Sequence, residues 1–149
     1  MKKILENSYL NLIVRIFLGV FFLLAALGKA AEPALFAKEI ANYAIIPEPL
    51  INLVALFIPW TELVVSIFLI FGIRLKSSAA ITAILLLVFI IAVGSAMARG
   101  LDINCGCFSQ KIQYVGWPKI LENTGLLLLS LYLFFFPVKK LTVENLVEK

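Results

Sequence analysis

Four apolar stretches dominate the chain: Tyr9–Leu27, Leu50–Phe71, Ser77–Ala98 and Pro118–Phe136. A bilayer's hydrocarbon core is about 30 Å thick and takes roughly 20 mostly apolar residues per helix. Each stretch therefore predicts a membrane-spanning segment. Hydrocarbon offers no water to backbone amides, and no stretch alternates like a barrel strand, so each must be a helix. Composition agrees. Of the 149 residues 62% are hydrophobic and 15% charged, and mean hydropathy is +1.04. A soluble domain has about 45–50% apolar and about 25% charged residues. Water-soluble globular, disordered, collagenous and disulfide-rich secreted classes are excluded. The expected fold is all-α: one domain over residues 1–149, a four-transmembrane-helix bundle with a short amphipathic helix in its first loop and a short tail at 139–149.

Lys2 and Lys3 ahead of an apolar stretch, with Gly28-Lys29-Ala30 behind it, resemble a cleaved leader. The apolar core of a leader runs about 7–15 residues. This stretch is longer and carries Arg15, so the first helix is kept as a span. Orientation follows from basic residues in the short connections. Lys2, Lys3, Arg74, Lys76, Lys139, Lys140 and Lys149 crowd one side. Lys29, Lys38, Arg99, Lys111 and Lys119 are spread over longer loops. Both termini are expected in the cytoplasm of an inner (cytoplasmic) membrane, with the first and third loops facing the periplasm or exterior. The net charge of +4 gathers into no basic patch. The lipid bilayer is thus an expected partner and nucleic acid is not.

The first loop predicts its own helix. Glu32-Pro33 is a helix start, since proline fits the first turn and acidic groups favour the N-terminal end of the helix dipole. Within Ala34–Ile46, Phe36, Ile40 and Tyr43 share one face, Lys38, Glu39 and Asn42 another, and Pro47 and Pro49 end the element. The economical reading is an interfacial lid over helix ends. In the third loop, Trp117-Pro118 marks an interfacial anchor and the start of the fourth helix.

The third loop also carries the chain's two cysteines, in Asp102-Ile103-Asn104-Cys105-Gly106-Cys107-Phe108. There is no histidine, which removes His-ligated haem and zinc and every Ser-His or Cys-His nucleophile. Outside the cytoplasm a disulfide can form and persist. A bridge between residues i and i+2 demands unusual backbone angles that Gly106 tolerates, and a strained bond is easily reduced. So short a ring removes little unfolded-state entropy, which makes chemistry a better explanation than stapling. Cys105 and Cys107 are the candidate redox pair. Lys111 or Arg99 would stabilise a thiolate and Asp102 would oppose it. Two other readings stay open: a thiolate pair that binds or transfers Cu(I), and a non-catalytic assembly partner. No metal site is assigned. A single pair must meet both its protein partner and its electron acceptor, and the membrane setting points to a quinone near Arg99, Trp117, Glu122 and Asn123.

Arg15 and Glu62 fall inside apolar stretches, where ionisable groups are expensive and are paired or functional. By helical rise Arg15 lies about 9 Å beyond Tyr9, and Glu62 about 14 Å from Phe71 on the returning helix. A long arginine covers that difference, so the two are expected to interact directly or through one polar group. Pro59 should bend the second helix.

The cysteine segment resembles the Cys-Gly-Cys-Phe-Gly signature of the MauE branch of the DoxX-like membrane proteins, with Ser109 in place of the last glycine. Arg15 with Gly28-Lys29, and Pro59 with Glu62, support the resemblance over most of the chain. It implies a four-helix inner-membrane protein. It further implies a role in maturing extracytoplasmic proteins, as MauE does for methylamine dehydrogenase beside a thioredoxin-like partner. Other DoxX-like proteins are similar to quinone-linked subunits. The function expected is thiol–disulfide oxidoreductase chemistry at Cys105 and Cys107 with a periplasmic thioredoxin-like or other thiol protein.

Overall fold

Helix α1 runs from Ser8 to Ala31 in the computed structural model, which describes residues 7–103, 116–138 and 142–147. Asn7 caps it, its side-chain oxygen accepting from the Tyr9 amide at 3.1 Å. Then follow α2 (Pro33–Asn42), α3 (Glu48–Phe71), α4 (Leu75–Ala98), α5 (Trp117–Phe135) and the short α6 (Val143–Val147). Cys105, Cys107 and Lys111 lie outside the described residues, as do Lys2, Lys3, Lys139, Lys140 and Lys149.

Among the described residues, α1, α3 and α4 are long and apolar enough to cross a membrane. Each has 24 residues, about 36 Å at 1.5 Å per residue. Their outward faces expose Ile13, Leu24, Phe57, Ile84 and Ile91, surface that lipid solvates and water does not. The chain is a multi-span membrane protein. The fourth expected span is a helix, α5. Lys119, Glu122, Asn123 and Thr124 occupy its first turns, and the predominantly apolar part from Gly125 to Phe135 covers only about 16 Å.

Packing follows stripes at alternating spacings of three and four residues. On α1 the buried stripe contains Asn11, Arg15, Leu18, Phe22, Ala25 and Lys29; on α3 it contains Ala55, Pro59, Glu62, Ser66 and Leu69. These faces meet closely at Gly19. A Cβ there would lie 2.5 Å from Ile70 Cγ1 and 3.1 Å from the Ser66 carbonyl oxygen. Small residues allow such approaches between membrane helices. Helices α4 and α5 are tied by Ser130, whose hydroxyl donates to the Ala79 carbonyl at 2.7 Å. Leu18, Leu69, Leu86 and Leu133 fill the space between.

Two ends of the assembly matter below. At the hairpin end, Gly72 adopts φ 71°, and the amides of Gly72 and Ile73 return to the Leu69 and Phe68 carbonyls. This Schellman arrangement stops α3 at once. Asn11 Nδ2 donates to the Phe136 carbonyl at 2.9 Å, joining the start of α1 to the end of α5. At the opposite, loop end, α2 lies against α3 through Phe36 and Ile40, packed with Ala55. Helix α2 stops at Asn42, short of the expected Ile46. Ala44 turns to φ 49°, and a residue before proline avoids the helical region.

Candidate functional site

An α-helical side chain leans towards the N-terminus of its own helix. That rule decides which charges meet. Helix α1 begins at the hairpin end and α3 begins at the loop end, so the long side chains of Lys29 and Glu62 lean towards each other. Arg15, on the same helix as Lys29, also leans towards the hairpin end and so away from Glu62, with Nη1 beside Gly72, 2.5 Å from where a Cβ would stand. The expected Arg15–Glu62 interaction is therefore replaced by Lys29–Glu62, and Arg15 belongs to the hairpin end. Helical rise alone carries no information on side-chain direction, and direction decides this contact.

Lys29 Nζ donates to both Glu62 oxygens, at 2.7 and 2.9 Å, with the two side chains 2% and 1% exposed. The ammonium also stands 4.6 Å from the Phe89 ring centroid and 5.3 Å from that of Phe36. A buried ion pair loses the hydration of both charges. Here a doubly hydrogen-bonded carboxylate and two ring faces offset that loss. The position of Lys29 after the apolar run suggests a loop cation. The signal that places it inside is its register, on the same three-and-four stripe as Leu18, Phe22 and Ala25.

Lys119 and Asn123 of α5 complete the polar centre. With Lys29 and Glu62 they line a cavity of about 20 Å³, walled on the α4 side by Leu86 and Phe89. A single water needs roughly 10–15 Å³ of such space. The Asn123 amide nitrogen is buried there with no hydrogen-bond partner among the described residues. Lys119 donates to Glu122, one turn on, at 2.9 Å. The centre presents several donors around one fully buried carboxylate, which suits one water or one small acceptor.

The residues expected around a quinone have different surroundings. Asn123 faces the polar cavity, while Glu122 is partly exposed beside Lys119. Trp117 is 70% exposed at the start of α5. Arg99 caps α4, where its guanidinium donates to the Ser95 and Tyr43 carbonyls. Among the described residues no group of three Cys, Asp or Glu side chains could hold a metal ion.

Helix α2 covers this region. Phe36, Ile40 and Tyr43 are buried as expected, whereas Glu39, expected on the polar face, is only 3% exposed. Spacing explains the correction: position 39 lies three after Phe36 and four before Tyr43, inside the apolar stripe. Burial holds the Glu39 carboxyl above its ordinary range, with the Lys29 charge opposing. Burial, and secondarily the charge of Glu39, pushes the Tyr43 phenol up to about 12.

The profile of the family described as Methylamine utilisation protein MauE matches residues 7–136. Methylamine utilization protein MauE of Paracoccus denitrificans is 35% identical over 120 residues, covering 79% of this chain and 64% of that protein. Its counterpart in Methylorubrum extorquens is 30% identical over 127 residues, covering 84% and 68%. Protein TlpB of Flavobacterium psychrophilum is 28% identical over 145 residues, covering 91% of this chain and 39% of that protein. The chain thus spans about two thirds of the length of these MauE relatives and a smaller part of the third. No solved structure matches it.

Proposed function

Because the chain belongs to the MauE family, we propose that it is a membrane thiol–disulfide protein whose Cys105 and Cys107 serve a thioredoxin-like partner outside the cytoplasm. The observation that carries this reading is the Cys-Gly-Cys itself, the chain's whole cysteine content, placed in the segment joining α4 to α5. Such a pair is too local to staple a fold and well suited to exchange. Both helices that flank it also contribute to the polar centre, α4 through Phe89 and α5 through Lys119 and Asn123.

In the exchange, a partner thiolate attacks one sulfur of the Cys105–Cys107 disulfide and releases the other as a thiolate. The partner's second thiolate then attacks the mixed disulfide. The partner leaves oxidised and Cys105 and Cys107 are left reduced. Reoxidation of the two thiols releases two electrons and two protons, which a membrane quinone would accept. The protein served is an extracytoplasmic one that needs disulfides. The designation of the relatives as methylamine utilization proteins makes methylamine dehydrogenase the first client to test. The membrane is the inner one, with the termini in the cytoplasm and the cysteine segment outside.

The test is thiol trapping in intact cells with a membrane-impermeant maleimide. Labelling of Cys105 and Cys107 only after mild reductant is the expected result, together with mixed-disulfide accumulation in a Cys107→Ser or Cys105→Ser variant. Labelling that requires an opened membrane overturns the orientation. Full client maturation by the double Cys→Ser variant overturns the redox role and favours an assembly partner. Stoichiometric copper after anaerobic purification, lost in Cys105→Ser, favours copper transfer.

A further inference from the structure

A second and larger cavity, about 210 Å³, lies between α2, α3 and α4. Its walls are mostly hydrocarbon, from Phe36, Ile40, Val54, Ile58, Phe89 and Ala92, with Glu39 and Tyr43 as the polar residues of the lining. Ile45, Val88 and Ile91 also line it, and each is more than half exposed, so they mark its mouth. Val88 and Ile91 belong to α4, which is long and apolar enough to span the membrane. Ile91 lies about 10 Å along the helix from its end at Ala98. The mouth therefore opens at the depth of lipid chains.

The rim supplies the complementary charge. Arg99, exposed and just past the end of α4, donates to the carbonyl of Tyr43, a lining residue two positions before Ile45. Its guanidinium carries five N–H donors. Among the described residues no carboxylate stands within ion-pair distance of it. At the end of a spanning helix this cation sits at headgroup level, about 12 Å above the Ile91 mouth.

We propose that this cleft is a phospholipid site, in which one acyl chain enters past Val88 and Ile91 while the phosphate rests on Arg99. Size, depth and charge agree. A dry cavity of about 150 Å³ takes up benzene, so this one accepts a stretch of hydrocarbon chain. A soluble ligand would have to cross the lipid-facing surface to reach the mouth. An apolar molecule without a charged head would leave the Arg99 charge without an anion, its hydrogen bonds here going to the neutral Ser95 and Tyr43 carbonyls. A seated chain would also hold α2 against α3 and α4, next to the Phe36 and Phe89 rings that flank Lys29. The site does not depend on the cysteines.

The experiment uses the full chain in nanodiscs of phosphatidylethanolamine and phosphatidylglycerol containing a phospholipid with a diazirine in one acyl chain. Cross-links should concentrate on peptides containing residues 54–58 and 88–92. They should fall at least fivefold in Ala92→Phe, which fills the cavity, and in Val88→Trp, which obstructs the mouth at an exposed position. Arg99→Gln should lower retention of the probe through a detergent wash, and Cys105→Ser should change nothing. Cross-links spread evenly over the outer faces of α1, α3 and α4, unaffected by both cavity variants, overturn the proposal. So does displacement of the phospholipid from these peptides by a quinone with an isoprenoid tail.

Discussion

Two lysine–glutamate pairs stand close together, and they differ in almost every respect. Lys29–Glu62 joins two helices across 33 positions of sequence and is buried on both sides. Lys119–Glu122 joins neighbouring turns of one helix, with the glutamate 39% exposed. Lys29 and Lys119 nevertheless line the same small cavity. The comparison teaches that the partner, more than the lysine, decides what a pair is worth. A local, half-solvated pair contributes little because water replaces it. A buried pair contributes little relative to apolar residues of the same shape, yet removing one member strands the other without hydration.

That contrast can be broken experimentally. The largest effect is expected for Glu62→Ala, which leaves Lys29 charged and buried and should destabilise by about 3–5 kcal/mol. Loss of monodisperse protein on heating in mild detergent measures it. If Glu62→Ala melts like the parent, the pair is not the keystone of the α1–α3 interface. Gly19→Leu tests whether helix approach holds the pair in place. Its side chain meets Ile70 and the Ser66 backbone, and overpacking of this kind costs about 1–3 kcal/mol. Ser130→Ala removes the hydrogen bond to Ala79 and should cost about 1 kcal/mol, read from the same melting curve. Smallest is Glu122→Gln, expected to lie within about 1 kcal/mol of the parent. A shift as large as that of Glu62→Ala would show that the Lys119 pair is structural after all. Exchanging the charges, Lys29→Glu with Glu62→Lys, sharpens the comparison further, since it should recover part of what Glu62→Ala alone loses.

Much of the helical content is legible along the chain. The apolar runs locate α1, α3 and α4, and Glu32-Pro33 and Trp117-Pro118 mark the starts of α2 and α5. The burial of Phe36, Ile40 and Tyr43 follows from their spacing alone. The Arg15–Glu62 pairing failed for a specific reason: depth along a helix is a one-dimensional quantity, and a contact also needs the direction of the side chain. For Glu39 and Lys29, register outweighs residue type. Both sit on apolar stripes that the numbering already displays.

The membrane character of this protein is a matter of composition and run length, because hydrocarbon tolerates only long stretches whose backbone satisfies itself. Family membership rests likewise on linear order, through residues 7–136. Which buried charges meet is different. It depends on antiparallel α1 and α3 leaning their side chains into one gap, on Gly19 letting them approach, and on α4 closing over Lys29 with Phe89. No local pattern encodes those relations. A buried charge finds its partner only after the helices dock, when low dielectric makes every unpaired alternative costly.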